Sequence, residues 1–143
     1  RKLVPYTTRF RSPPYTPCDQ VAAVDTELCR IGILICADTF RTDILDAMAG
    51  QKPDLVLVPY GWAAPEENWP GHGKELHSVV QSAARRIGAP LVGVDLVGQI
   101  TRGPWMDRVY GGQSVAVDAS GRILATAVDR DRDIVVVDVP IRD

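Results

Sequence analysis

Three short apolar runs, Ile31–Cys36, Leu55–Val58 and Pro90–Val97, alternate along the chain with two segments of helical character. That order constrains the fold more than any other feature, because runs of this length rich in Val, Ile and Leu suit buried strands. The second helical segment is the clearer one. From Lys74 its apolar positions Leu76, Val79, Val80, Ala83, Ala84 and Ile87 fall at i, i+3, i+4, i+7, i+8 and i+11, with Gly88 as a stop. The first spans about Arg41 to Ala49, with Asp38 or Thr39 as its cap and Gly50 as its end.

Around this unit, Val21–Val24 reads as a short strand, and Val115–Val117 and Ile123–Thr126 flank Asp118-Ala-Ser-Gly121, a turn with hairpin chemistry. Ile134–Val139 is apolar and β-branched, which predicts a last strand. Residues 3–20 carry four prolines and read as an extended loop, as do Trp62–Gly73 and Gly98–Gly112. The β-α-β-α-β order followed by a hairpin predicts an α/β fold, a mixed sheet with helices on one face.

Cys36 is the residue with chemical potential. It ends an apolar run and is followed at once by Ala37-Asp-Thr-Phe-Arg41, so its thiol stands where a buried strand meets a helix start. A thiol at such a junction sees unpaired backbone N–H groups and the positive end of the helix dipole, which favour thiolate and can hold an oxyanion. The competing reading is a cysteine that packs as a small hydrophobe.

Composition narrows the function classes. With 143 residues, 45% hydrophobic and 24% charged at a formal net charge of −2, the chain has neither a basic nucleic-acid footprint nor a polybasic membrane patch. No apolar stretch reaches the roughly 20 residues that a membrane span needs, so the expectation is a cytoplasmic protein whose partners are small molecules, with no nucleic acid and no membrane. Cys18, Cys29 and Cys36 form no CxxC pair and are expected as free thiols. His72 and His77 are five apart and miss the i, i+4 register of a helical metal pair, so no metal is expected and both read as surface residues. The Asp129-Arg-Asp-Arg-Asp133 run reads as a solvated turn, and Arg85-Arg86 as charges suited to a helix C-terminus.

Four ordered segments resemble the carbon–nitrogen hydrolase (nitrilase) superfamily. They are Lys2-Leu3, the strand Gly32-Ile-Leu-Ile-Cys36-Ala-Asp38, the run Ala84–Gly98 and Gly111-Gly-Gln-Ser-Val-Ala-Val-Asp118-Ala-Ser-Gly121, together spanning nearly the whole chain, residues 1–143. The resemblance implies the C-terminal part of such a domain, half of a four-layer α-β-β-α sandwich with its second sheet coming largely from an N-terminal part. It also implies a Glu-Lys-Cys triad, of which Lys2 and Cys36 have counterparts here and the general-base glutamate has none, because in the family it precedes the lysine segment.

The chemistry so implied is hydrolysis of a small linear amide, carbamoyl amide or nitrile through a thioester. Cys36 is the nucleophile, Lys2 and the backbone N–H of Ala37 stabilise the oxyanion, Tyr60 and Trp62 are the substrate-binding wall, and no cofactor takes part. Asp at position 38 favours an amidase over a nitrilase; Ala37 and Asp95 depart from the family's usual Tyr or Trp and Asn. The expectation includes a homo-oligomer and a chain nearly inactive by itself. The alternative is a binding or assembly module that keeps the fold without catalysis. A doubly wound nucleotide-binding domain would need a Gly-rich phosphate loop after its first strand, and Cys36-Ala-Asp-Thr39 offers none.

Overall fold

The computed structural model describes residues 20–141. Lys2, Cys18 and the proline-rich segment therefore lie largely or wholly outside the described residues. The elements run β1 (Ala23–Asp25), β2 (Arg30–Ile33), α1 (Thr42–Gly50), β3 (Leu55–Tyr60), β4 (Ala63–Ala64), α2 (Gly71–Ile87), β5 (Leu91–Asp95), β6 (Val97–Gln99), β7 (Val109–Gly111), β8 (Val115–Val117) and β9 (Ile123–Thr126). The larger sheet has the order β1-β2-β3-β5-β8-β9. Its centre is parallel, β2 on β3 and β3 on β5, and the flanking strands pair antiparallel.

Side-chain alternation along each strand sends one set of residues under the helices. Val56, Val58 and Tyr60 of β3, Leu91 of β5, and Val115 and Val117 of β8 are buried with Leu45 and Met48 of α1 and Leu76, Val80, Ala83, Ala84 and Ile87 of α2. Both helices thus cover the same face, as the α/β reading expects. Ile33 and Val94 on the other face remain 59% and 57% exposed, and this is the side that a second sheet covers in a four-layer sandwich.

Close approach fixes two glycines in this core. A Cβ at Gly32 would lie 2.5 Å from Met48 Sδ, and one at Gly93 would lie 2.9 Å from the Tyr60 ring. Helix α2 begins three residues before the expected Lys74, at Gly71. Gly73 is placed where any side chain would overlap the Gln113 amide. Burial of Leu76, Val80 and Ile87, about 1.5–3 kcal/mol each, outweighs the ~1 kcal/mol that a glycine costs in a helix. At the other end Gly88 takes φ 75° and its N–H bonds the Ala84 carbonyl at 2.8 Å, the expected left-handed stop.

Three expectations need correction. Neither Asp38 nor Thr39 caps α1, because Cys36–Phe40 forms a separate 3₁₀ turn and the extended Arg41 precedes the helix. The two expected loops each contain strand: β4, β6 and β7 pair into a second, three-stranded sheet of order β4-β7-β6. Residues 134–139 form no strand. Ile134 and Val136 are 92% and 93% exposed, so β-branched propensity acts there without a neighbouring strand whose edge and face would reward it.

The charge-rich run is more than a solvated turn: Asp129 accepts from the buried Gln113 amide at 2.7 Å, and the N–H of Arg130 donates to the Gly111 carbonyl at 2.7 Å. The hairpin turn behaves as expected, with the Asp118 carboxylate accepting from the Ser120 hydroxyl at 2.6 Å and the Arg122 N–H at 3.0 Å. Ser120 and Arg122 hold that carboxyl well below the usual range. Arg86 makes a bidentate pair with Asp46, both contacts 2.7 Å, which ties α2 to α1 at the surface.

Candidate active site

Strand β2 stops at Ile33, and Leu34 continues its register by donating to the Leu57 carbonyl at 3.1 Å. The chain then reverses through Cys36, whose φ of 42° lies in the left-handed region that a residue with a Cβ rarely adopts. Neighbouring bonds hold this turn from both sides. The Ile35 N–H donates to the Asp38 carboxylate at 2.8 Å, the Asp38 N–H returns to the Ile35 carbonyl at 3.0 Å, and the Thr39 hydroxyl donates to the Cys36 carbonyl at 2.7 Å.

Behind that turn, the Tyr60 hydroxyl donates to Thr39 Oγ1 at 3.0 Å. Tyr60 is 2% exposed, and burial pushes its hydroxyl far above the ordinary range. Its place is therefore in the support of the cysteine turn: it is not among the residues lining the cavity, where the substrate wall was expected.

Trp62 does line that cavity. A space of about 420 Å³ opens beside Cys36 and Ala37, lined by Phe40, Trp62, His72, Trp105, Arg108 and Tyr110. Trp62 is the middle of a stack, 5.5 Å from Phe40 and 4.7 Å from His72, and its indole N–H donates to the His72 carbonyl at 2.8 Å. Trp69 meets His72 edge-on at 5.3 Å. His72 is half-buried in this wall with Nδ1 3.1 Å from a Glu75 oxygen, which corrects its reading as a surface residue; His77 is half-buried too, with Nε2 3.2 Å from the Gln113 carbonyl. Among the described residues no cluster of His, Cys, Asp and Glu could hold a metal ion.

Asp95 anchors the wall through the backbone of Trp62. Its two carboxylate oxygens accept the backbone N–H groups of Trp62 at 2.8 Å and Gly112 at 3.1 Å, fixing the loop after β3 to the strand end of β7. Burial raises this carboxyl to about 6, the Trp62 and Gly112 N–H groups opposing the shift. His72, Trp105, Arg108 and Tyr110 come from the two segments expected as loops, and none of them is a site candidate by sequence.

What the strand-end cysteine can do follows from this geometry. Cys36 and Ala37, at the start of the short 3₁₀ turn, line a cavity with aromatic walls. The fold and site together define an α/β protein with a cysteine held in a strained turn at the end of a parallel strand, a class suited to nucleophilic attack on an acyl carbon. The chain belongs to the carbon-nitrogen hydrolase family, whose model matches residues 1–143.

Solved structures agree on the fold. A carbon-nitrogen hydrolase from Helicobacter pylori G27 superposes with a TM-score of 0.67 at 22% identity, over 82% of this chain and 43% of that one. An amidase mutant from Nesterenkonia sp. AN1, showing Michael addition of acrylamide at its active-site cysteine, gives 0.69 at 23% identity, over 88% of this chain and 45% of that one. A glutamine-dependent NAD+ synthetase from Acinetobacter baumannii gives 0.71 at 20% identity, over 89% of this chain and 22% of that one. The chain thus spans less than half the length of each. The comparison with curated proteins gave no significant match. No helix among the described residues is long and apolar enough to cross a membrane.

Proposed function

We propose that the protein carrying this chain hydrolyses a non-peptide C–N bond, with Cys36 as nucleophile and a small linear amide as substrate in preference to a nitrile. The observation that carries this reading is the placing of Cys36 at φ 42° on the wall of a cavity of about 420 Å³. The turn presents the thiol at a strand end, where the sheet leaves room for a ligand.

In this scheme the Cys36 thiolate adds to the amide carbon. The electron pair displaced onto oxygen is met by the Ala37 N–H and, through the family resemblance, by the Lys2 ammonium. Collapse breaks the C–N bond, the leaving nitrogen takes a proton and departs as ammonia or an amine, and water then cleaves the thioester to the acid and restores the thiol. A general-base glutamate is assigned to none of these 143 residues. The proposal accordingly makes the chain by itself slower by about 10²–10⁴-fold, the usual contribution of a general base. Amide over nitrile rests on Asp38, in the position where the resemblance associates Asp with amidases.

The test is turnover of a panel of short aliphatic amides and nitriles by the whole protein and its Cys36→Ala variant, with intact-mass detection of an acyl adduct on Cys36. Ammonia release that vanishes in the variant supports the proposal. A rate unchanged by the substitution ends the assignment of Cys36 as nucleophile, and no turnover by the whole protein leaves a binding or assembly role.

A further inference from the structure

The cavity beside Cys36 has one fixed positive charge and no negative one among the described residues. Arg108 lines it, half-buried, with its guanidinium 4.6 Å from the centre of the Trp105 ring. Stacking against an indole face holds a guanidinium in place while leaving its N–H edge free for a planar acceptor. No ion pair engages Arg108 among the described residues, whereas Arg30, Arg41, Arg86, Arg122 and Arg130 each have a carboxylate partner.

The backbone under Arg108 is pinned as well. Its carbonyl accepts the Ile100 N–H at 2.8 Å, its N–H donates to the Trp105 carbonyl at 3.2 Å, and the Asp107 N–H closes the loop on the Ile100 carbonyl at 3.1 Å. The loop between β6 and β7 therefore delivers a preset cation to the cavity that the Phe40, Trp62 and His72 stack also lines. The other acids and bases near the cavity are already engaged, since His72 pairs with Glu75 and Asp95 is held by backbone N–H groups.

We propose that Arg108 is a specificity residue, and that the substrate is an amide whose far end carries a carboxylate, the scissile carbonyl lying at Cys36 and the carboxylate on the Arg108 guanidinium. This rests on the amide-hydrolase reading above and deepens it. The carboxylate is bound and unchanged by the reaction. A fork of guanidinium N–H donors matches its two oxygens, a geometry that lysine does not reproduce.

The experiment compares kcat/KM of the whole protein for succinamic, glutaramic and adipamic acids with that for neutral amides of equal chain length, butyramide, valeramide and hexanamide. The expected ratio, acid over neutral, is at least about tenfold for the best-fitting length, as a charge-assisted hydrogen bond supplies. Arg108→Gln brings that ratio near one, through KM, and Arg108→Lys restores part of it. A wild-type ratio near one, or a high ratio kept in Arg108→Gln, overturns the proposal. Should no amide turn over, the catalytic reading fails separately. Titration calorimetry of glutaramic acid with Cys36→Ala and with Cys36→Ala/Arg108→Gln then decides: binding that the second substitution removes supports the anion site, and no binding, or binding that it leaves intact, overturns it.

Discussion

The Thr39 hydroxyl donates to the carbonyl of Cys36 at 2.7 Å, so the residue three positions on holds the peptide group that gives the cysteine its left-handed φ of 42°. Thr39 also accepts the Tyr60 hydroxyl at 3.0 Å and is 5% exposed. Thr39→Val removes the donor to Cys36 and strands the Tyr60 hydroxyl in the core, a loss of about 1–3 kcal/mol in stability. Chemical denaturation should show it, with turnover falling alongside, and Thr39→Ser should recover most of both. Tyr60→Phe leaves the Thr39 to Cys36 bond intact, and its cost is expected nearer 1 kcal/mol.

Asp95 predicts a pH dependence of stability. Its folded value of about 6 lies above the ordinary 3.8, so the folded state holds the proton more tightly than the unfolded chain. The favourable protonated form is present at pH below about 4, and stability is lost as pH rises from there through about 6. At neutral pH the difference amounts to at most about 3 kcal/mol, reduced by whatever solvent reaches the carboxyl. Asp95→Asn removes this dependence: between pH 4 and 7 its stability relative to the wild type should improve by up to about 3 kcal/mol. Parallel urea curves with the same pH slope would refute the assignment.

Gly93 faces the ring of Tyr60. A Cβ there would lie 2.9 Å from the ring and 3.2 Å from Val80 Cγ2, so Gly93→Ala forces a shift in a packed core at about 1–3 kcal/mol. Because the displaced ring belongs to the chain Tyr60, Thr39, Cys36, turnover should fall further than the stability loss alone explains. Thermal unfolding and kcat measured on one sample separate the two.

Trp62 is held by two ring neighbours, by its indole bond to the His72 carbonyl at 2.8 Å and by its backbone bond to Asp95 at 2.8 Å. Trp62→Ala takes out the middle of the wall. KM for amides is expected to rise by about tenfold or more, with a stability cost in the 3–5 kcal/mol range of a large aromatic truncation. Trp62→Phe keeps the stack, loses the indole bond and should fall between.

Periodicity and apolar runs determine the parts of this protein that local physics controls. The i, i+3, i+4 pattern of Leu76 to Ile87 specifies one buried helical face, the runs at Ile31, Leu55 and Leu91 specify strands, and Gly88 specifies a left-handed stop. Cys36 is legible for the same reason, as a thiol at the end of a strand pattern. Trp62 was readable as wall because it follows the strand beside that of the cysteine.

What the chain leaves to tertiary structure depends on partners distant in sequence. Ala63–Ala64 and Val109–Gly111 form strands because β7 pairs with β4 and with β6 in the small sheet, although neither belongs to a run long enough to announce it. Arg108, from the loop before β7, and His72, from the first turn of α2, both line the Cys36 cavity, which no spacing encodes. Tyr60 and Asp95 show the same limit in reverse: their sequence positions place them at strand ends beside the site, and only burial turns one into a support for Thr39 and the other into an anchor for Trp62. Strand and helix follow from the free energy of local patterns against water; the site follows from which buried polar groups find one another once water has been excluded.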